Sequence, residues 1–202
     1  MALEDQTRWN KKYADGAYAQ RLHPSRYLQL QLPQIVEFLG TGGRALDVAC
    51  GSGRNSIYLA ERGFAVEGVD ISDVALKRAS SRAIDLDLDV QFNQVDLDVT
   101  ESLPGGGFDL IIMFRYVALD LLGVLANKLQ PNGILVVEEH LLWHDSKLEL
   151  AGPRSPRFRV EPGKMVNTIQ QMDMLELHSF DGLIEEPDGS LAAVSRITAK
   201  KQ

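Results

Sequence analysis

Three features in the first half of the chain could act together on one ligand. The first is Gly51-Ser52-Gly53, which follows the apolar run "RALDVAC" (44–50) and precedes the helical stretch "RNSIYLAERG". Glycines tolerate positive φ and let a ligand approach the backbone, and a helix that follows offers unpaired N–H groups. The second is Asp70, at the end of "AVEGVDI" (65–71) and 17 residues after Gly53. A carboxylate there can accept both hydroxyls of a ribose, or it can cap the helix that starts near Ser72. The third is Asp47, four residues before Gly51. It would oppose a pyrophosphate but suits a ligand that carries an ammonium group. The turn also departs from G-x-G-x-x-G/A, because Arg54, Asn55 and Ser56 follow Gly53. The ligand described is a nucleoside with a positive charge.

Further candidates lie downstream. Arg115 leaves the run "LIIMF" (110–114), where it can meet a substrate or form a salt bridge. His140 ends "ILVVEEH" (134–140) and can serve as a base or a hydrogen-bond donor. Arg154, Arg157 and Arg159 form either a solvated basic loop or a local anion trap. Glu138 and Glu139 point to opposite faces of a strand, so no shared metal site with His140 and His144 is expected. Cys50 reads as a small buried filler beside the glycine turn. Trp9 and Tyr13, one helical turn apart, can pack as core or cover a ligand.

The elements that position these residues can be read from periodicity. Short runs rich in Val, Ile and Leu at 44–50, 65–71, 110–114 and 134–140, with "VQFNQVD" (90–96), read as buried parallel strands. Helical stretches alternate with them: one ends at Gly63, one begins at Ser72, and "YVALDLLGVLANKL" makes a third. Upstream, "KKYADGAYAQRLHPSRY" reads as a loosely helical lead-in, and Pro33 can start a helix through "LPQIVEFL". "PNG" before residue 134 is a turn signal. Pro153, Pro156 and Pro162 mark a loop over one end of the sheet, and "PDGS" joins two strands of a terminal antiparallel hairpin. The pattern predicts an α/β fold with a doubly wound, mostly parallel seven-stranded sheet. One domain is expected over 1–202, divided into a lead-in or lid (1–43), a ligand-binding core (44–140), and a substrate loop with the hairpin (141–202).

Composition narrows the partners. The 202 residues carry 21 Lys plus Arg against 28 Asp plus Glu, a formal charge of -7, which argues against nucleic acid. No stretch approaches the roughly 20 apolar residues that span a bilayer, so no membrane association is expected. The acidic start lacks a secretory pattern and the single cysteine suits a reducing compartment, so a cytoplasmic location is expected.

"ALDVACGSGRNSIYLAERGFAVEGVDIS" resembles the first two motifs of the class I S-adenosylmethionine-dependent methyltransferases. "VDLDV" around Asp96 is similar to their third motif, "FDLIIMFR" to their fourth, and "LANKLQPNGILVVEE" to the helix and strand that follow. The resemblance covers most of 44–140, and the order of the motifs makes it specific. The flanks "RWNKKY" and "GPRSPRFRVEPGKM" are similar to the small tellurite-resistance and thiopurine-like group. S-adenosylmethionine, with an ammonium, a sulfonium and no phosphate, is the cofactor implied. The resemblance then implies that Asp47, Gly51 and Gly53 bound its methionine end, and that Asp70 holds the ribose. Ile71 would pack on the adenine, Asp96 would accept from its amino group and the Leu97 N–H would face a ring nitrogen. Ala49, Asn55 and Phe114 would complete that wall. Ala49 stands where the family often has glycine, so a slightly altered turn is expected. Arg115, His140 and Arg157 are the candidates on the reacting side. The implied reaction is in-line methyl transfer to a small-molecule acceptor, here one with an anionic group. The rival readings are a nicotinamide-dependent oxidoreductase, which the glycine spacing and Asp47 oppose, and a catalytically silent cofactor-binding module.

Overall fold

The computed structural model describes residues 2–145 and 147–202. Seven strands form one sheet: β1 (Arg44–Val48), β2 (Ala65–Asp70), β3 (Val90–Gln94), β4 (Phe108–Phe114), β5 (Leu129–His140), β6 (Met174–Glu185) and β7 (Leu191–Lys201). Their order is β3-β2-β1-β4-β5-β7-β6, parallel through the first five and antiparallel where β7 pairs with β5 and β6. After β3 the chain crosses to the other side of β1 to make β4. The carboxyl ends of β1 and β4 thus flank a topological switch point, the place where such sheets bind ligands.

The near-continuous apolar runs arise because both faces are covered. Leu46, Val48, Ile111, Met113, Leu135 and Val137 face one core. It is closed by Leu122 and Leu125 of a helix at Leu121–Lys128 and by Met165 and Ile169 of one at Lys164–Gln170. Ala45, Leu110, Ile112, Ile134 and Val136 point the opposite way, onto Tyr27, Leu28, Leu32 and Ile35. Those four belong to a helix at Arg26–Leu39. The helix at Asp73–Asp85 is capped by Ser72, whose hydroxyl accepts from Ala75 N at 3.2 Å.

Several boundaries differ from the sequence reading. The helix expected to begin at Pro33 starts at Arg26 and runs through the proline. An interior proline costs about 3 kcal/mol or more, and the buried stripe from Tyr27 to Ile35 offsets it. The lead-in is a helix at Ala2–Ala14 followed by turns. Pro131-Asn132-Gly133 does not reverse the chain; it forms a bulge in β5, with Phe108 opposite Leu129 and Leu110 opposite Ile134. Asn132 takes a φ of 67° there. The Lys164–Gln170 helix falls within the span read as loop. The hairpin closes at Glu185 and Leu191 around the expected turn. Among the described residues no helix is long and apolar enough to cross a membrane.

Candidate active site at the switch point

A cleft of about 1010 Å³ opens at the carboxyl ends of these strands, near the upper end of the ~300–1,000 Å³ usual for small-molecule sites. Its walls include Asp47, Ala49, Gly51, Asn55, Asp70, Ile71, Asp96, Leu97, Phe114, Arg115, His140 and Arg157, residues drawn from five strand ends and two loops. Gly53 is not among them. A Cβ at Gly53 would lie 2.9 Å from Ala79 and from Phe92. Its φ of 73° starts the helix at Arg54–Ala60. Gly53 is therefore required behind the turn for close packing.

The turn is held from two directions. Cys50 N donates to Val69 O and Gly53 N to Cys50 O, both at 3.0 Å. Ala49 and Gly51 adopt φ of 56° and 55°. For an alanine this left-handed geometry costs about 1–2 kcal/mol, so the expected substitution keeps the turn's shape at the expense of strain. Asp70 accepts from Gly51 N through Oδ2 and from Ser72 N through Oδ1, both at 2.9 Å. It thus performs the helix-entry role and also faces the cleft. Cys50 is buried, and burial followed by the nearby Asp47 and Asp70 pushes its thiol well up, so it stays protonated.

Charge clusters within the cleft. Burial first, then Asp98, Asp96, Asp5 and Asp70, which all line it, push the Tyr116 phenol up to about 12. Asp47 is buried, receives Ser56 Oγ at 2.6 Å, and has its pKa pushed up to about 7, mainly by burial. Arg8, Lys12, Arg21, Arg54, Arg115 and Arg157 also line the cleft, with His140 and Glu186, and Arg115 and Arg21 act on His140. Arg115 is tied to Glu138 and Glu186 at 3.0 and 2.7 Å. Arg157 lies 4.4 Å over the Phe158 ring. Among the described residues Arg21, Arg54 and Arg157 have no carboxylate within ion-pair distance.

The other two arginines of the supposed anion trap serve differently. Arg159 donates to the carbonyls of Pro153, Leu141 and Ala151 and so braces its own loop. Arg154 is exposed and does not line the cleft. Glu139 turns to the opposite face from Glu138, accepting from Tyr116 N at 3.1 Å. No group of three or more metal-ligating side chains occurs among the described residues.

Trp9, Lys12 and Tyr13 of the Ala2–Ala14 helix line the same cleft. A Cβ at Gly51 would lie 2.5 Å from the Tyr13 hydroxyl. This helix is pinned by Asn10, which donates to Asp73 at 2.6 Å and accepts from Ser72 Oγ at 2.8 Å. Reasoning from sequence missed Arg21, Tyr116, Phe158 and Glu186. Of these, only Glu186 had a usable signal, its place beside the hairpin turn.

Buried carboxylates at the turn suit an ammonium and a ribose diol, and would repel phosphate. Ser52 Oγ, buried in the same turn without a protein partner, offers one further polar contact. A glycine turn at the switch point, acids ending the first two strands and a reversed terminal hairpin define the class I S-adenosylmethionine-dependent methyltransferase fold. Residues 45–133 match the model of a methyltransferase domain.

Rabbit (Oryctolagus cuniculus) glycine N-methyltransferase is 44% identical over 78 residues, 34% of this chain and 26% of that enzyme. The ubiquinone biosynthesis O-methyltransferase of Alkalilimnicola ehrlichii is 32% identical over 84 residues, 41% of this chain and 34% of that enzyme. The matched stretches thus span well under half of either curated relative. Among solved structures, magnesium protoporphyrin IX methyltransferase from Synechocystis PCC 6803, with S-adenosylhomocysteine bound, superposes with a TM-score of 0.72. It is 15% identical, and 99% of each chain is covered. TehB from Haemophilus influenzae gives a TM-score of 0.72 at 14% identity, covering 96% of this chain and 67% of that one. These two likenesses concern the fold alone.

Proposed function

We propose that this chain transfers a methyl group from S-adenosylmethionine, by in-line displacement, to a small-molecule acceptor that bears an anionic group. The observation that carries the reading is the clustering of charge in one cleft, acids around Tyr116 and arginines around His140. The cofactor supplies a methyl on a sulfonium, already an excellent leaving group. What remains for the protein is alignment and exclusion of water, and alignment alone can supply roughly 7–11 kcal/mol.

In this reading Asp47 holds the ammonium and Asp70 the ribose. Ile71, Asp96 and Leu97 hold the adenine, while Ala49, Gly51, Asn55 and Phe114 shape the wall. Residues 1–43 act as the lid, 44–140 as the cofactor-binding core and 141–202 as the acceptor side. Arg157, His140 and Arg115 face the acceptor, with Arg21 beside them. The lone buried Cys50 suits a reducing cytoplasm.

A screen of small thiols, oxyanions, carboxylates and amines for S-adenosylhomocysteine production tests the acceptor. Anionic acceptors should lead it, and Arg157→Ala should raise their KM about tenfold, as for loss of one charge-assisted contact. Cofactor affinity should stay within about twofold. A neutral amine as best acceptor, indifferent to Arg157, would overturn the reading.

Asp47 adds a pH dependence. A cation beside it favours its ionised form, so cofactor affinity should increase as pH rises through about 7 and then level off. Below that pH, binding should release a proton, which calorimetry in buffers of different ionisation enthalpy will detect. Folding shows the opposite trend. A carboxyl raised from 3.8 to about 7 contributes stability fully below pH 3.8, and that contribution is lost as pH climbs to about 7. Affinity that is flat from pH 6 to 8 would remove the ammonium from Asp47.

A further inference from the structure

Arg115 fixes what His140 can do. Its Nη1 lies 3.0 Å from His140 Nδ1, and a guanidinium has only donors to offer. Nδ1 must therefore accept, which leaves the hydrogen of a neutral imidazole on Nε2. The ring is neutral because it is largely buried among cations: burial first, then Arg115, Arg159 and Arg21, push its pKa down to about 3. One face lies against the loop backbone, where a Cβ at Gly152 would collide with the ring.

Arg115 has no freedom to release Nδ1. Its Nε donates to Glu138 Oε1 at 3.0 Å, Nη2 reaches Glu186 Oε1 at 2.7 Å, and its backbone N donates to Glu138 O at 2.7 Å. Glu138 is held in turn by Arg196 Nε at 2.7 Å. Four charges from β4, β5, β7 and the hairpin tip thus converge to set one tautomer. Its backbone sits at a φ of 63°, a strained conformation of the kind that persists where the surroundings over-determine it.

We propose that His140 acts in this cleft as an Nε2–H hydrogen-bond donor and not as a base, that Arg115 is the residue positioning it, and that Glu186 secures Arg115 from the hairpin. Glu186, a carboxylate that lines the same cleft, is paired through Oε1 with Arg115. Resting on the methyl-transfer reading, this assigns a substrate class: acceptors whose reacting atom is ionised without help from the protein, such as thiolates or carboxylates. The acceptor's lone pair forms the new bond to carbon while the carbon–sulfur bond breaks with its pair passing to sulfur. An anionic acceptor has no proton to shed in that step, and the Nε2–H can orient it.

The tautomer can be read without any acceptor. Long-range nitrogen–proton correlation spectra of the full chain labelled with ¹⁵N-histidine, assigned with His140→Gln, should show Nε2 protonated and Nδ1 bare. That pattern should not change between about pH 5 and 8, the range in which an ordinary histidine titrates. Arg115→Met should mix the tautomers and bring a titration into that range. Glu186→Gln, at the half-exposed hairpin tip, should shift the Nδ1 resonance without switching the tautomer. An Nδ1–H pattern or a titrating His140 in the unaltered protein overturns the proposal, whether or not Arg115→Met folds. In turnover, with aryl thiols of graded acidity as probes, the acid limb of kcat/KM should move with each thiol's own pKa. A fixed limb that disappears in His140→Gln would restore the base role. Failure of every acceptor to turn over would count against methyl transfer and leave the spectroscopic result standing.

Discussion

Gly51→Val should abolish cofactor binding, weakening it by at least about 100-fold in a titration with S-adenosylhomocysteine. Two separate effects act at this position. A φ of 55° suits glycine and is a genuine outlier for a β-branched residue, costing on the order of 1–3 kcal/mol. In addition, the new Cβ would begin 2.5 Å from the Tyr13 hydroxyl, so its methyl groups must displace Tyr13 or fill the space beside the turn. Either outcome reshapes the wall that the ligand needs. Gly51→Ala should fall between the two, and Tyr13→Phe should recover part of its loss by removing the colliding oxygen. Binding of folded Gly51→Val within tenfold of the parent would show that this turn does not touch the ligand.

Asp70→Ala should lose about 2–4 kcal/mol of cofactor affinity, or roughly 30- to 1,000-fold, through two charge-assisted hydrogen bonds to the ribose. The geometry adds a second cost. With the carboxylate gone, the N–H groups of Gly51 and Ser72 lose their acceptor in a buried setting, at about 1–3 kcal/mol each. Denaturation midpoint and affinity must therefore be measured together. A carboxylate has about four acceptor positions, so two backbone donors leave room for a diol. A large fall in stability with unchanged affinity in the folded protein would leave Asp70 a purely structural role.

The acidic part of the cleft was readable in the sequence because its residues end consecutive strands. Asp47, Gly51, Asp70 and Asp96 occur in chain order at spacings that the alternation of strand and helix dictates. Gly53 shows where spacing stops being informative. A glycine that meets a ligand and one that meets Phe92 look alike in a string of letters, because both answer the same demand for a missing Cβ. Pro33 misled for a related reason: its local cost was visible, whereas the buried stripe that outweighs it depends on the sheet. The short Lys164–Gln170 helix has too few turns to show a period, and its hold on the core comes from Met165 and Ile169.

The arginine-rich part was much less legible. Arg21, Arg54, Arg115, His140, Arg157 and Glu186 come from six separate parts of the chain and meet only through the tertiary fold. Charge runs in the sequence directed attention to Arg154 and Arg159, one of which faces outward while the other ties a loop together. Arg115 and His140 were identified from their strand ends, but their mutual bond, which decides the chemistry of the ring, has no counterpart in spacing.

The closing turn of the hairpin gives an unusual engineering handle. Glu186 stands at its first corner, where its own N–H donates to Ser190 O at 2.8 Å, while the strands on either side pair without a shift from His178 to Glu185. Insertions or randomised residues between 186 and 190 would therefore alter what Arg115 meets without moving Asp47, Gly51 or Asp70. A library confined to those few codons would sample new surroundings for Arg115 on an otherwise unchanged cleft, with β7, anchored between β5 and β6, carrying the mechanical load.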